Sequence, residues 1–198
     1  MSERTATIQR QTNETDISLR LALDEAHSTS ETIDTGIAFF DHMLTQIARH
    51  GNFALSIKAV GDLAIDGHHT VEDVGIVLGK AFDIALGNKQ GIRRYGHARI
   101  PLDEALADVV IDCSGRPYLF FDAAFTNPKL GDFDTELVEE FFRAFAVQAR
   151  MTIHAEIVRG QNSHHMAEAL FKALARSLRE AVGIDPTTDD IPSSKGLL

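Results

Sequence analysis

The sequence predicts an α+β fold made of two copies of one half-domain, each a sheet with helices on one face. Three observations lead there. First, His68-His69-Thr70-Val71-Glu72 returns as His164-His165-Met166-Ala167-Glu168, with 96 positions from His68 to His164; a recurrence at fixed spacing is the mark of a duplicated unit. Second, each copy opens a stripe of helical period: Val71, Val74, Leu78, Ala81 and Ala85 in the first, Leu170, Ala173, Leu174, Ser177 and Ala181 in the second. Third, the same succession of short alternating runs and one helical segment precedes each copy. The predicted order is β-β-β-α-β-α, twice.

The elements follow in order. Residues 6–11 and 17–23 alternate as strands, and a weaker run lies near Ile33. Residues 39–50 carry helical periodicity, 53–59 alternate again, and Asp66-Gly67 stands where an N-cap belongs before the first His-His helix. The second half repeats this with strands at 99–102, 107–112 and 118–123. A helix at 137–148, a strand at 152–158 and Asn162-Ser163 before the second His-His helix complete it. Gly87, Gly91 and Gly96 mark the join. The expected organisation is therefore a half-domain over 1–90, a second over 91–185, and a loop-like tail over 186–198.

Composition bounds the function. The chain of 198 residues is 44% hydrophobic and 24% charged, ample for a real core. Its formal net charge of −10 argues against nucleic acid or an anionic membrane as partner. An anionic substrate would have to meet a local cluster of Arg and Lys. The single cysteine, Cys113, cannot form an intrachain disulfide and reads as a small buried hydrophobe. The stretch from Met1 to Asp16 is polar and shows no signal peptide, and no apolar run is long enough to cross a bilayer. These features lead to the expectation of a soluble, cytoplasmic protein.

The His-His-x-x-Glu pattern carries the chemistry. His68 and Glu72 stand at i and i+4 and share a helix face. His69 lies about 100° further round the same helix. Adjacent helical histidines diverge, so they suit two ions better than one. The duplication supplies His68, His69, His164 and His165 with Glu72 and Glu168, enough for two sites once other ligands join. Imidazole with carboxylate suits manganese, iron, cobalt or zinc, and the lack of thiolates argues against a structural zinc site. One helix earlier, His42 aligns across the repeat with Glu140, and either side chain can ligate such an ion. His27, His97 and His154 have no such company and read as structural or solvated.

These residues carry a resemblance. Over nearly its whole length the chain resembles imidazoleglycerol-phosphate dehydratases. The segments are Phe39-Phe40-Asp41-His42-Met43-Leu44, Asp66-Gly67-His68-His69-Thr70-Val71-Glu72-Asp73, Arg94-Tyr95-Gly96, Pro101-Leu102-Asp103-Glu104-Ala105, Asp112-Cys113-Ser114-Gly115-Arg116-Pro117, Asn162-Ser163-His164-His165 and Pro192-Ser193-Ser194-Lys195-Gly196. The resemblance implies a manganese-dependent dehydration of imidazoleglycerol phosphate to imidazole-acetol phosphate in histidine biosynthesis. It implies two Mn2+ per chain, held by His42, His68, His69, Glu72, Glu140, His164, His165 and Glu168, with the two histidines of each pair on different ions. Many members carry His where this chain has Glu140. Glu14 is implied as the acid–base carboxylate, beside catalytic roles for His42, His68, Glu72, His164 and Glu168. Arg94, Arg116, Lys172, Ser194 and Lys195 are implied at the phosphate, with Gln46 and His50 lining the pocket one and two turns beyond His42. The tail would cover the substrate. The family pattern also implies a large homo-oligomer of 24 subunits, a shell of cubic symmetry built from trimers. Two rival readings stand beside it: another dinuclear metal enzyme that hydrolyses a phosphoester or amide, and a non-catalytic metal-linked shell protein.

Overall fold

A computed structural model describes residues 4–28 and 32–198, so the first three residues of the polar N-terminal stretch lie outside the described residues. The elements are β1 (Thr5–Gln11), β2 (Thr15–Ala22), β3 (Ile33–Asp34), α1 (Ala38–Gly51), β4 (Ala54–Gly61) and α2 (His68–Leu86). There follow β5 (Tyr95–Leu102), β6 (Ala105–Asp112), β7 (Tyr118–Asp122), β8 (Lys129–Leu130), β9 (Phe133–Asp134), α3 (Glu136–Gln148), β10 (Thr152–Arg159) and α4 (Ser163–Ala181). The repeated β-β-β-α-β-α order is present, in two four-stranded sheets of matching topology. One runs β1-β2-β4-β3 and the other β5-β6-β10-β7. In each, the last-named strand is parallel to its neighbour, β3 to β4 and β7 to β10, and the helix between them in sequence makes the crossover.

Alternation along the strands sets the two faces. In β2, Ile17, Leu19 and Leu21 are buried while Ser18 and Arg20 are exposed; Ala107, Val109 and Ile111 do the same for β6. The helices lie between the sheets. α2 packs on β1, β2 and β4 and on α3; α4 packs on β5, β6 and β10 and on α1. Each half therefore presents its helices to those of the other, and one apolar core runs through both. Phe82 meets Phe145 edge-on at 5.4 Å, and Phe141 stacks on Phe171 at 5.1 Å. Each such fully buried ring is worth about 1.5–3 kcal/mol relative to exposure. Among the described residues no helix is long and apolar enough to cross a membrane.

Local signals end the helices. Asp66 Oδ1 accepts the His68 N–H at 2.8 Å, although the capping position itself is Gly67. Asn162 Oδ1 accepts from the backbone of both His164 and His165 at 2.9 and 3.3 Å. α1 stops at Asn52, which takes the left-handed conformation with φ 58°.

Two expectations are corrected. β5 begins at Tyr95, not at 99, because Tyr95 to Ala98 pair with Asp112 to Val109 on β6. The polar His97 and the small Gly96 hide that strand's alternation. Gly96 answers a tertiary demand: a Cβ there would lie 2.0 Å from the Ser177 carbonyl oxygen on α4. The second half also inserts the β8–β9 hairpin before α3, for which the first half has no counterpart. Its strands are two residues each, too short for a periodic signal, yet it buries Phe133 against Phe39 and Phe40.

Candidate metal centres

The fold brings His42, His164 and Glu168 together, and separately His68, Glu72 and Glu140; in each group the ligating atoms lie within 4.8 Å of one another. The pairing follows from helix packing. α1 lies on α4, so His42 from the first half joins the i, i+4 pair of the second. α2 lies on α3, so Glu140 from the second half joins the i, i+4 pair of the first. His42 and Glu140, matched in the sequence alignment of the halves, thus occupy equivalent places.

In the first group, Oε2 of Glu168 receives His42 Nε2 at 3.2 Å and His164 Nε2 at 3.1 Å. Oε1 of the same carboxylate is 2.7 Å from Lys172 Nζ. Burial opposes the ionised form of Glu168, but the hydrogen bonds from Lys172 and His42 outweigh it and draw the carboxyl down to about 2. Phe39 meets the His164 ring edge-on at 5.2 Å and holds its plane. The Gln46 amide reaches the His42 ring at Nδ1 and its carbonyl at 3.3 and 3.2 Å. In the second group His68 Nε2 lies 3.7 Å from Glu72, and Glu140 leans on Arg143 at 3.8 Å. Two imidazoles and a carboxylate in one group, one imidazole and two carboxylates in the other, are donor sets that fit a borderline or hard divalent ion. The second set carries one more negative charge.

His69 and His165 diverge from their neighbours. The ring planes of His68 and His69 cross at 86°, those of His164 and His165 at 87°. His69 donates from Nδ1 to Asp62 at 3.0 Å, and its Nε2 lies 3.8 Å from Glu14. His165 donates from Nδ1 to Glu104 at 2.8 Å, and its Nε2 lies 3.9 Å from Asp103. Both imidazoles titrate above their ordinary value, first because of those hydrogen bonds. Glu104 is held down at about 2 by His165 and then by backbone N–H groups. Glu104 lies in one of the segments that carry the resemblance, but the sequence gives neither it nor Asp62 a role at the site, since nothing local ties a carboxylate at a strand end to a histidine on a helix.

The cationic residues fall into two sets. Lys172 sits on Glu168, and burial together with Lys172 and Arg176 lowers the titration of His50, so these cations flank the first group. Arg94 instead forks onto Asp112 at 2.7 and 3.2 Å and donates to the Pro192 carbonyl at 2.8 Å, tying down the tail that carries Ser194 and Lys195. Arg116 stands 3.7 Å from Asp112 and is largely exposed. Among the described residues no hydrogen bond or ion pair joins Arg94, Arg116, Ser194 or Lys195 to His50 or Lys172. His97 bonds Asp108 at 2.9 Å and His154 stacks on Phe120 at 5.6 Å, away from both groups. Cys113 is fully buried, and burial pushes its thiol up to about 12.

A family model described as imidazoleglycerol-phosphate dehydratase matches residues 35–178. The chain is 60% identical over 196 residues to the protein of that name from Gluconacetobacter diazotrophicus, covering 98% of each. It is 55% identical over 195 residues to that of Limosilactobacillus fermentum, covering 98% of this chain and all of the relative. The crystal structure of the Staphylococcus aureus enzyme superposes with a TM-score of 0.83 at 42% identity, over 91% of this chain and 99% of that one. The Pyrococcus furiosus enzyme, in complex with (S)-C348, gives 0.83 at 35% identity, over 96% and 100%.

Proposed function

The chain belongs to the imidazoleglycerol-phosphate dehydratase family, and from that premise we propose that it is a hydro-lyase of histidine biosynthesis that uses two Mn2+ per chain. It converts imidazoleglycerol phosphate to imidazole-acetol phosphate and water. The observation that carries the metal reading is the pair of imidazole–carboxylate groups, each completed across the two halves. His42, His164 and Glu168 would hold one ion; His68, Glu72 and Glu140 would hold the other. Bound manganese would supply Lewis acidity toward the imidazole ring of the substrate and a template for its orientation.

The chain's own residues do the rest. Glu14, at the β1–β2 turn and 3.8 Å from His69 Nε2, accepts the proton from the substrate carbon. The hydroxyl on the adjacent carbon takes up a proton as its C–O bond breaks and leaves as water, and the resulting enol becomes the ketone. Lys172 and His50 meet the phosphate from the side of the first group. Arg94, Arg116, Ser194 and Lys195 also meet the phosphate. His69 and His165 would hold ions shared with neighbouring chains, and such ions would join the subunits into a large homo-oligomer of 24.

The test is an assay on imidazoleglycerol phosphate with and without manganese, paired with elemental analysis of the loaded protein. Turnover without phosphate release and two ions per chain are expected. Release of inorganic phosphate would mark a hydrolase, and a firm value near one ion per chain would sink the two-site reading.

A further inference from the structure

We propose that Glu104 and Asp62 are positioning residues that fix the imidazoles of His165 and His69 for metal binding, and that Asp62 thereby leaves Glu14 free for proton transfer. The proposal rests on the reading of His165 and His69 as manganese ligands.

A neutral imidazole that donates Nδ1–H to a carboxylate presents its lone pair at Nε2, and its ring is then fixed in orientation. Both diverging histidines are held this way, His165 by Glu104 at 2.8 Å and His69 by Asp62 at 3.0 Å. Yet the two halves take the carboxylate from different elements. Glu104 immediately precedes β6. Besides His165, it accepts the backbone N–H groups of Gln161 at 3.2 Å and Asn162 at 2.8 Å. One carboxylate thus ties the β5–β6 turn to the segment that opens α4, and Asn162 in turn caps the N–H groups of His164 and His165.

The residue that immediately precedes β2 is Glu14, so Glu14 is the counterpart of Glu104 in the first half. It does not hold Nδ1; it stands near Nε2 instead. Nδ1 of His69 is taken by Asp62, which immediately follows β4. The residue that immediately follows β10 is Gly160, which has no side chain to offer. A Cβ at Gly160 would lie 2.5 Å from Met166 Cγ, so the second half has no room for the Asp62 arrangement without repacking. The duplicated turn glutamates therefore diverge in role. Where the strand-end carboxylate exists, the turn glutamate is released; where it is missing, the turn glutamate is occupied.

The experiment measures manganese affinity of the full-length protein by competition with a chelator, for the parent chain and for His165→Ala, Glu104→Gln, Asp62→Asn and Glu14→Gln. Glu104→Gln and Asp62→Asn should each weaken binding about 10- to 100-fold, and raising manganese should restore turnover to them. Glu14→Gln should leave affinity unaltered, and added manganese should not restore its turnover. If His165→Ala binds manganese as tightly as the parent, the ligand reading fails. If His165→Ala is weakened while Glu104→Gln is not, the ligand reading stands and the positioning proposal is overturned. A second measurement holds even where a variant does not assemble. Nitrogen-15 spectra of the histidine rings in metal-free parent protein at alkaline pH should show His165 protonated at Nδ1; protonation at Nε2 would overturn the proposal.

Discussion

Glu168 concentrates the local electrostatics of the chain. Two imidazoles meet one of its oxygens and Lys172 the other, so a carboxylate that burial alone would neutralise stays ionised. Glu14 is the opposite case: it is exposed, at a turn, and faces a histidine at 3.8 Å without a hydrogen bond. A proton carrier needs that freedom, whereas a ligand needs constraint. Glu14→Gln keeps the shape and removes the proton acceptor, so turnover should fall on the order of 10²-fold or more, with manganese content unchanged. Steady-state kinetics beside metal analysis checks this, and a near-normal kcat would remove Glu14 from the chemistry. Cys113 behaves as a small hydrophobe at this scale: fully buried, its thiol raised by that burial, it has no thiolate to offer a metal or a substrate near neutral pH.

At the scale of elements, the position of each candidate centre depends on how closely two helices approach. On α2, Gly79 faces α3 so tightly that a Cβ would lie 2.5 Å from the Phe145 carbonyl oxygen and 2.9 Å from the Ala149 nitrogen. Backbone cannot swing aside as a flexible side chain can. Gly79→Ala therefore forces the helices apart, at about 1–3 kcal/mol for overpacking, against about 1 kcal/mol returned by the better helix former. The same shift carries Glu140 away from His68 and Glu72, since they ride on the two helices being separated. Calorimetry should show the melting temperature of metal-free protein falling, by about 2–4 °C for a net cost of about 1 kcal/mol, and manganese titration should show one of two sites weakened. An unaltered melting temperature and two intact sites would mean that the α2–α3 contact does not set this centre.

The whole molecule has a core that owes nothing to the candidate ligands. Its buried residues are aliphatic and aromatic through both halves, while His68, His69, His164 and His165 lie at the helix ends. The sheets carry exposed apolar side chains, among them Val110, Tyr118 and Phe120, available for contact between chains. If ions join subunits through His69 and His165, metal binding contributes to association and not to the fold of each chain. Stripping manganese, or changing His69 to Ala, should then leave smaller folded oligomers without activity. Light scattering should report the loss of mass and its recovery on adding manganese back, while far-ultraviolet circular dichroism barely changes. A particle of unaltered mass in fully metal-free protein would show that the ions do not hold the assembly together.

The repeat, its β-β-β-α-β-α order and the two i, i+4 pairs are legible in the residues alone, because these are local. A helix has 3.6 residues per turn and a strand two per repeat, so Val71, Val74 and Leu78 or Ile17, Leu19 and Leu21 declare their faces without reference to anything distant. The divergence of His68 from His69 follows from the same geometry. That His42 meets Glu168, a residue 126 positions away, depends on α1 packing against α4 and cannot be read locally. The same packing sets Asp62 and Glu104 on the outer imidazoles, commits Arg94 to Asp112 and Pro192, and lays the short β8–β9 hairpin over Phe39. Such contacts have no period to read. They come into being when apolar faces from both halves close on one core, and the polar groups at the rim are carried to whatever partners that packing leaves within reach.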